Sequence, residues 1–485
     1  MVKFTNLTIP KCFLTILTIS LLSTLNVLSS RLSYFGYHLY RFVPENNVLD
    51  YLNSEIEPKT NRFDANGQRM PMIDVWSEPS RRGGHAEVLV APEYVDDFLD
   101  ILTEHSVKNI KMIKANIQQE FTNEQNQLLR EKRRRRRRRN VSAPKTPKEL
   151  RRFDLFNYHR YNEIVDHLRV LSAYKPQMLT YLEITKTFEG RDLVGVKVTA
   201  PNSKKQKSTI FIDAGVHARE WIAPATALYM LDQLVNEYET NSQIQWLLEE
   251  FDFIIVPVAN PDGYEYSFKG DLCLNRTFTV QFADRIWRKT RSRNNNVSHW
   301  CVGADANRNW AYRWGEAGAN RSPCSNIYAG QKAFSEPESL GLMEFIKNKV
   351  HDLKVYASLH AYGQVFLSPW GFTNEKPSNY RDQQLAARYA VEAIQNTTGA
   401  KYTYGSISEV MYPASGTSID YMQNLGVPYI YGIELRPEDS SSIGFAIPPN
   451  QIEPTGREMM AAFIRIAEYV KGLLPKRKYL KRKRQ

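Results

Sequence analysis

A histidine and a glutamate three positions apart are the residues of this sequence whose types and spacing most directly suggest chemistry. His217 and Glu220 stand between an apolar run that predicts a strand and one that predicts a helix. If the backbone coils between them, both side chains can reach one cation, and a distant histidine would complete a zinc site with a position left for water. The spacing alone is weak, because a surface histidine beside a helix-capping glutamate gives the same pattern.

His360 is the strongest candidate for the missing ligand. The chain has 9 histidines, and this one directly follows the predicted strand 355–359. A lone histidine is more often structural, but a strand-end position in a chain that also carries His-x-x-Glu favours a ligand. The three side chains together would form the open zinc site of a hydrolase.

Glu434 has the surroundings expected of the base that such a site needs. It lies among apolar residues of the predicted strand 429–435. Burying a carboxylate there is costly unless it has a partner or a task. A salt bridge to Arg436 is the alternative, because strand alternation puts both side chains on one face. The sequence leaves both interpretations open.

Two further runs carry cations that can bind a substrate. Arg288 lies in the basic run 285–291, and Asn307 and Arg308 lie in the polar run 305–310. An arginine beside an asparagine can hold a carboxylate, and another arginine near a metal can stabilise an oxyanion. A plain basic loop and a plain polar turn would look the same.

The elements that must position these residues predict an α/β region. Short apolar strands alternate with amphipathic helices, which is typical of a mostly parallel sheet between helices, with a site where strands end. The predicted strands are two runs within 182–199 and the segments 209–213, 253–258, 355–359 and 429–435; the predicted helices are 223–237, 336–350, 380–397 and 454–474.

The residues before this region predict a smaller α+β domain without a catalytic cluster. Its predicted elements are strands 37–42 and 85–90, a helix over 92–105 and a charged helix over 122–132. The helix runs into Arg133–Arg139, which cannot pack in a core and therefore predicts a linker, either simply solvated or cut by basic-specific proteases. The predicted divisions are a signal peptide over 1–30, a prosegment over 31–139, a catalytic domain over 140–475 and a basic tail over 476–485.

The formal charge of +12 comes from two short strips. The run Lys132–Arg139 contributes 8 positive charges and the tail contributes 7, so the remainder of the chain is net −3. A nucleic-acid-binding domain would spread its charge over a folded face. This pattern therefore argues against nucleic acid as a partner.

The N-terminal apolar stretch Cys12–Leu28 predicts a cleaved signal, since lysines precede it and small residues follow it. A membrane anchor is the alternative, but polar residues dilute the stretch. Secretion implies an oxidising compartment, in which Cys301 and Cys324 are expected to form a disulfide. Cys273 is then left over, and a buried, inert thiol is favoured over an intermolecular one. Glycosylation sequons begin at Asn140, Asn275, Asn296, Asn320 and Asn396.

Seven motifs in order make the sequence from about Phe156 onward resemble the secreted zinc carboxypeptidases of the carboxypeptidase A/B family, over roughly two thirds of the chain. The leading region resembles the family's activation domain, so a carboxypeptidase-like mixed sheet preceded by a small α+β domain is expected. The motifs are His217-Ala-Arg-Glu-Trp221, Asn260-Pro-Asp-Gly-Tyr264, Trp287-Arg-Lys-Thr-Arg291, Asn307-Arg-Asn-Trp310, Ser358-Leu-His360, Ile407 to Asp420 and Glu434-Leu-Arg436.

The resemblance implies a role for each catalytic candidate. His217, Glu220 and His360 would bind one Zn²⁺ per catalytic domain. Glu434 would be the general base and later the proton donor to the leaving amine. Arg288 would polarise the scissile carbonyl and stabilise the oxyanion.

The resemblance also implies how the substrate is held. Asn307 and Arg308 would bind its free C-terminal carboxylate, which makes the enzyme an exopeptidase. Tyr412 would close over the bound residue, and Arg219 would line an outer subsite.

The positions that match the family's specificity pocket carry no charge, which predicts removal of apolar or aromatic C-terminal residues. Thr417 and Gly432 depart from the usual residues of the family, so the choice between aromatic and aliphatic side chains stays open. If Ile419 is simply a core residue, the pocket argument depends on Gly371. The matching positions are Ile407, Ala414, Ile419, Gly371 and Gly432.

Two alternatives remain from the sequence: a carboxypeptidase for basic residues, which needs an acid in the pocket, and a non-catalytic glycan-binding protein that uses the basic tail. The expected partners are peptides with free C-termini, a trypsin-like or furin-like activating protease and, through the tail, sulfated glycans. No nucleic acid and no membrane span are expected, and an extracellular location is predicted.

Overall fold

The computed structural model describes residues 33–45, 47–63, 69–77, 79, 83–138, 153–203, 205–268, 284–294, 296–438, 441 and 444–475. The predicted signal peptide, the basic tail, Cys273 and the junction after Arg138 lie outside these residues. Within them, no helix combines the length and the apolar character needed to cross a membrane. We call residues 33–138 the N-terminal region and residues 153–475 the catalytic region.

The catalytic region is built on an eight-stranded mixed sheet, as the alternating pattern predicts. The four neighbouring strands at its centre are parallel to one another, and antiparallel pairs occur towards both edges. Across the sheet the strands are Thr403–Ser406, Val365–Ser368, Tyr429–Leu435, Leu353–Ala361, Ser208–Ala214, Phe251–Val256, Asp192–Val198 and Leu179–Lys186.

Helices cover both faces of the sheet because successive strand residues point to opposite sides. Ile210 and Ile212 face the larger apolar core, whereas Phe211 between them faces the smaller one. The larger core contains helices Tyr161–Tyr174, Ile222–Asn236, Ser242–Glu250, Tyr380–Thr398 and Ile452–Val470, and the smaller contains Pro337–Lys349 and Ser418–Asn424.

The predicted strands and helices of this region are all present, with ends shifted by a few residues. Two strands at one side of the sheet are short and carry little alternating pattern, so the sequence did not predict them. Several helices were also missed. The missed elements include strands Val365–Ser368 and Thr403–Ser406 and helices Tyr161–Tyr174, Ser242–Glu250, Pro261–Phe268 and Ser418–Asn424.

The N-terminal region contains a four-stranded antiparallel sheet, which confirms the small α+β fold. One helix, Ile117–Arg138, begins before the predicted charged helix and continues into the arginine run. The sheet order is Ile73–Ser77, Ala86–Val90, His38–Phe42 and Lys111–Lys114, the helix Val95–Glu104 packs on it, and short helical turns cover Val48–Tyr51 and Leu52–Ile56.

The register of the central strands brings the chemical candidates together. His360 lies opposite Glu434 across one parallel pair, and Ser358 lies opposite Asp213 across the next. His217 follows the strand Ser208–Ala214 by three residues. Because parallel strands end at the same edge, these side chains meet there.

The predicted disulfide is present between Cys301 and Cys324, whose Cα atoms are 5.0 Å apart. It closes a loop that leads directly to Asn326 and Ile327. Both residues line the cleft at the strand ends. The crosslink therefore braces one side of that cleft.

Candidate metal centre and active site

Three buried ligand atoms converge at the carboxyl ends of the central strands. The Nδ1 atom of His217 is 2.7 Å from Glu220 Oε1, and His360 Nδ1 is 3.2 Å from both His217 Nδ1 and Glu220 Oε2. One ligand atom from each side chain lies within 4.8 Å of the others. The predicted His-x-x-Glu pair and the distant histidine therefore form one cluster.

The chemistry of this donor set fits zinc. Zn²⁺ takes imidazole nitrogens and carboxylate oxygens at about 2.0–2.2 Å in a tetrahedron, which places neighbouring ligand atoms roughly 3.3 Å apart. The 3.2 Å separations on His360 match that edge. Two imidazole nitrogens that face each other at this distance cannot both donate, whereas both can bind a cation between them.

A second set of acids orients the two histidines. The free ring nitrogen of His217, Nε2, is 3.2 Å from Asp305 Oδ1. The free nitrogen of His360 is 3.0 Å from Ser358 Oγ, which donates a hydrogen bond of 2.6 Å to Asp213. Such contacts select the ring tautomer and make the ligand more basic.

The electrostatics of the cluster favour neutral His217 beside charged carboxylates, which is the form that binds a metal. At His360 burial opposes the charge, but Glu220 raises the pKa to about 8, so metal binding must displace a proton there. Burial lowers the pKa of His217, and nearby Arg288 lowers it further. Burial acts to raise the pKa of Asp305, but Arg288 and His217 hold it well below its usual range. Glu220 follows the same logic: burial opposes ionisation, and the two histidines keep its pKa below the ordinary value.

Glu434 is partly buried and lines the same cleft as the ligands. The alternative of a salt bridge to Arg436 is not what the structure shows, since Arg436 pairs with Glu458 and also donates to Gln451. The carboxylate of Glu434 therefore stands at the cluster rather than in that ion pair.

Arg288 is held beside the cluster by Asp305. Its Nη2 and Nε atoms lie 2.8 and 3.1 Å from Asp305 Oδ2, while the other carboxylate oxygen faces His217. One buried acid thus positions both a predicted ligand and a predicted oxyanion donor. The sequence analysis did not single out Asp305, although it stands two residues before Asn307.

Arg308 and Asn307 line the cleft. The guanidinium of Arg308 donates to the carbonyl of Gly318 at 2.7 Å and to the hydroxyl of Tyr412 at 3.1 Å. Asn307 accepts a hydrogen bond from the backbone of Ser418 through Oδ1. These contacts hold both side chains in place at the wall of the cleft.

Beyond these two residues, the cleft continues into an apolar recess. Its wall includes Leu367, Ile407, Ala414, Ile419 and Gly432. Ile419 is also part of the smaller core, so the core interpretation and the pocket interpretation of this residue both hold.

Gly371 lies behind the wall of the recess, and a side chain there would collide with the carbonyl of Ala414. The acid nearest this wall, Asp420, accepts hydrogen bonds from the backbone of Gly371 and Phe372. Burial raises the pKa of Asp420 to about 7. Its carboxyl group is thus committed to the backbone behind the wall.

The N-terminal region covers the cleft. Its residues Asn53, Val75, Trp76 and Ser77 share the lining with the metal-ligand candidates, around a cavity of about 90 Å³. Asp74 forms a buried ion pair with Arg219 at 2.8 Å. The cleft is therefore closed to a peptide in this form of the chain.

Sequence reasoning missed the residues through which the two regions meet. The hydroxyl of Tyr362, two positions after His360, bonds to Glu87, and Arg285 pairs with Glu124 at 2.6 Å. A buried acid within a strand, such as Glu87 or Asp213, was the available signal. Such an acid indicates a buried polar contact but does not reveal which residue it contacts.

Comparison with known protein families supports this site. A model described as "Zinc carboxypeptidase" matches residues 164–462, and one described as "Carboxypeptidase activation peptide" matches residues 65–124. The first match contains the whole His-Glu-His cluster together with Glu434, and the second lies within the N-terminal region.

Similar proteins carry names of both A and B type. The chain is 32% identical over 478 residues to "Zinc carboxypeptidase A 1" of Drosophila melanogaster, covering 96% of this chain and 99% of that protein. It is 39% identical over 319 residues to "Carboxypeptidase B" of Astacus astacus, covering 66% of this chain and 98% of that protein. The crystal structure of carboxypeptidase A from Helicoverpa armigera superposes with a TM-score of 0.73 at 28% identity, covering 90% of this chain and 98% of that one.

The first family model spans more than half of the chain, and the described cluster supplies the donors that zinc requires. Zn²⁺ is accordingly the cofactor, and the covered cleft is that of a zymogen. From its sequence, its fold and its metal site, the chain belongs to the zinc carboxypeptidase family.

Proposed function

We propose that the activated chain hydrolyses the last peptide bond of peptides and proteins that end in an apolar or aromatic residue. The observation that carries this proposal is the uncharged recess beyond Asn307 and Arg308. A cation placed there would be desolvated without a counter-ion, which is costly, whereas an apolar side chain gains by burial.

Recognition of a free chain end falls to Arg308 and Asn307. A substrate carboxylate at the cleft wall replaces the hydroxyl of Tyr412 as an acceptor for Arg308, and charge-assisted bonds of this kind are strong. The amide of Asn307 adds a second donor. Tyr412 then closes over the bound residue, so an internal stretch of chain does not satisfy the site.

The reaction uses Glu434 and Arg288. His217, Glu220 and His360 would hold the zinc ion, which would supply Lewis-acid chemistry at this site. Glu434 takes the proton of the attacking water and delivers it to the leaving amine nitrogen. Arg288 donates hydrogen bonds to the carbonyl oxygen as negative charge develops there.

Two features of the recess favour a side chain that is large and uncharged. A Cβ atom added at Gly432 would lie 3.6 Å from Ile419 and 3.8 Å from Leu367, so the missing side chain leaves open volume in the wall. The neighbouring acid, Asp420, is turned to the backbone. A preference for Lys or Arg needs a charge-bearing wall, and the described lining of the recess offers none.

Cleavage in the arginine run is proposed to release the N-terminal region. A trypsin-like or furin-like protease suits a run of basic residues, and the removed segment carries the side chains that close the cleft. We further propose that the chain is secreted through its N-terminal apolar stretch and that its basic tail binds sulfated glycans in a salt-dependent way.

The experiment is incubation of the trypsin-treated protein with peptides that differ only in a C-terminal Phe, Leu, Lys or Glu, with and without a chelator. We expect release of Phe and Leu that the chelator abolishes and added zinc restores. Preferential release of Lys would contradict the specificity. Ile419→Asp places an acid in the recess and is expected to shift release from Phe towards Lys.

A further inference from the structure

The N-terminal region meets the mouth of the cleft through carboxylates. Asp74 accepts from Arg219 Nη1 at 2.8 Å and from Asn326 Nδ2 at 2.8 Å. Glu57 accepts from Ser325 Oγ and from the backbone N–H of Asn326, each at 3.1 Å. Both carboxylates are 1% exposed, so these contacts are built into the interface.

A third carboxylate follows the same pattern farther along the interface. Glu124 accepts from Arg285 Nε at 2.6 Å and from Nη2 at 2.9 Å. Arg285 also donates to the backbone carbonyl of Arg219 at 2.9 Å, which links the two arginines. We call Arg219, Arg285, Ser325 and Asn326 the rim.

The charges in these contacts are divided unequally between the two regions. Both ion pairs, Asp74–Arg219 and Glu124–Arg285, place the acid on the N-terminal region. Where the catalytic region presents the acid Asp284 instead, it receives the hydroxyl of Tyr34. The catalytic region thus offers donors at the rim, and the N-terminal region supplies acceptors.

Removal of the N-terminal region deprives Arg219 of its anion in a setting of low polarity. Its guanidinium lies 4.4 Å from the ring of Phe445, its Nε atom is buried without a hydrogen-bond partner, and its recorded acceptors, Asp74 and the Val75 carbonyl, both leave. A guanidinium beside an aromatic ring and without a counter-ion gains strongly from a new carboxylate.

We infer that the rim binds acidic side chains of the substrate upstream of the residue that is removed, so that the activated enzyme selects chain ends that combine an apolar last residue with a nearby Asp or Glu. In the zymogen, Asp74 and Glu57 occupy the places that these side chains take. Arg219 and Asn326 line the same cleft as the metal ligands, so one short peptide can reach both. The inference deepens the proposed function and rests on it for the direction in which the peptide lies.

The test is equilibrium binding to trypsin-activated Glu434→Gln protein, which keeps the cleft and does not turn the peptide over. Peptides end in Phe and carry Glu or Gln at one position, two to four residues before the end. We expect the Glu peptide to bind about tenfold more tightly at one of these positions in low salt, with the ratio shrinking at high salt because the charges are screened. Equal affinities at every position would overturn the inference.

Two variants test whether the preference for the Glu peptide arises from the rim. Arg219→Gln is expected to bring the Glu-to-Gln ratio to about one, and Asn326→Leu to reduce it severalfold; because the Asn326 variant removes no charge, it serves if the first does not fold. The matched control is Arg465→Gln, whose arginine pairs with Glu468 on the last helix and leaves the ratio unchanged. A full ratio in both rim variants contradicts the inference.

Hydrolysis of the Gln peptide by activated protein that keeps Glu434 tests the proposed function independently of the rim inference. If that peptide is hydrolysed but the Glu peptide binds no better, the proposed function stands and the rim inference fails. If it is not hydrolysed, the proposed function fails, and the binding ratio still decides whether the rim takes acids.

Discussion

We call His217, Glu220, His360, Glu434 and Arg288 the floor of the cleft. The floor and the rim are stabilised in opposite ways. On the floor, Asp305 and Asp213 support the metal-ligand candidates from within the catalytic region. On the rim, Arg219 and Arg285 have their carboxylate partners in the N-terminal region. Loss of the N-terminal region therefore leaves the floor intact and exposes the rim.

This difference shows how one chain can carry a fully formed site that stays covered while the chain is intact. The floor does not need rearrangement, because each of its hydrogen bonds survives a cut in the arginine run. The rim residues lose their carboxylate partners in the N-terminal region, but their positions in the catalytic region do not need to change. Variants of the two regions should therefore affect different measurements.

The largest effect is expected from the floor. Glu434→Gln removes the base while it keeps the shape of the side chain, so kcat of the activated protein should fall by about 10²–10⁴-fold. Bound zinc, measured by elemental analysis, should stay at one per chain. Full activity in this variant would contradict the assignment of the base.

A rim variant should act on the zymogen alone. Asp74→Asn leaves Arg219 buried without its anion, which costs about 3 kcal/mol for a buried pair and loosens the cover over the cleft. We expect more peptide hydrolysis by the uncut chain. After trypsin treatment the variant and the parent should have equal kcat/KM, since the substituted residue has left; unequal values would break the comparison.

Asp305→Asn probes the support of the floor. Loss of the charge that faces His217 and Arg288 should weaken zinc binding by about 10–100-fold, as measured by competition with a chelator. Asp192→Asn, at a surface ion pair with Lys186, is the control. Unchanged zinc affinity would show that Asp305 supports only Arg288.

A prediction that concerns stability alone, and not zinc binding or turnover, involves Glu338, which is buried. Burial raises its pKa to about 8, above the roughly 4.3 of an unfolded chain. As the pH rises between these values the unfolded state loses the proton first, so the free energy of unfolding falls, by at most about 1.4 kcal/mol per pH unit. Glu338→Gln lacks this term, and its melting temperature relative to the parent should rise from pH 5 to pH 8. A constant difference would contradict the buried, protonated carboxyl group.

The floor was largely predictable from the sequence and the rim was not. His217, Glu220 and His360 stand near strand ends that hydrophobic runs reveal, and the resemblance of seven ordered motifs then implied that they are ligands. Asp305 and Asp213 support them through contacts that depend on strand register. Sequence patterns carry no register information across distant strands.

The rim depends on how the N-terminal and catalytic regions pack against each other, which local pattern does not encode. Arg219 was expected in an outer subsite, but nothing near it in the chain pointed to Asp74, 145 residues earlier. The recess was predicted as uncharged by resemblance. The sequence did not reveal that Asp420 accepts a hydrogen bond from the backbone of Gly371; this contact is seen only in the structure.

The apolar core is continuous between the two regions, because Tyr34, Trp76, Ile117 and Phe121 pack into the same cluster as the catalytic helices. While the chain is intact, this contact is intramolecular, at an effective concentration on the order of millimolar. A cut turns it into an association between two molecules, whose occupancy depends on how much protein is present. Activation by the proposed cut would therefore depend on protein concentration as well as on proteolysis.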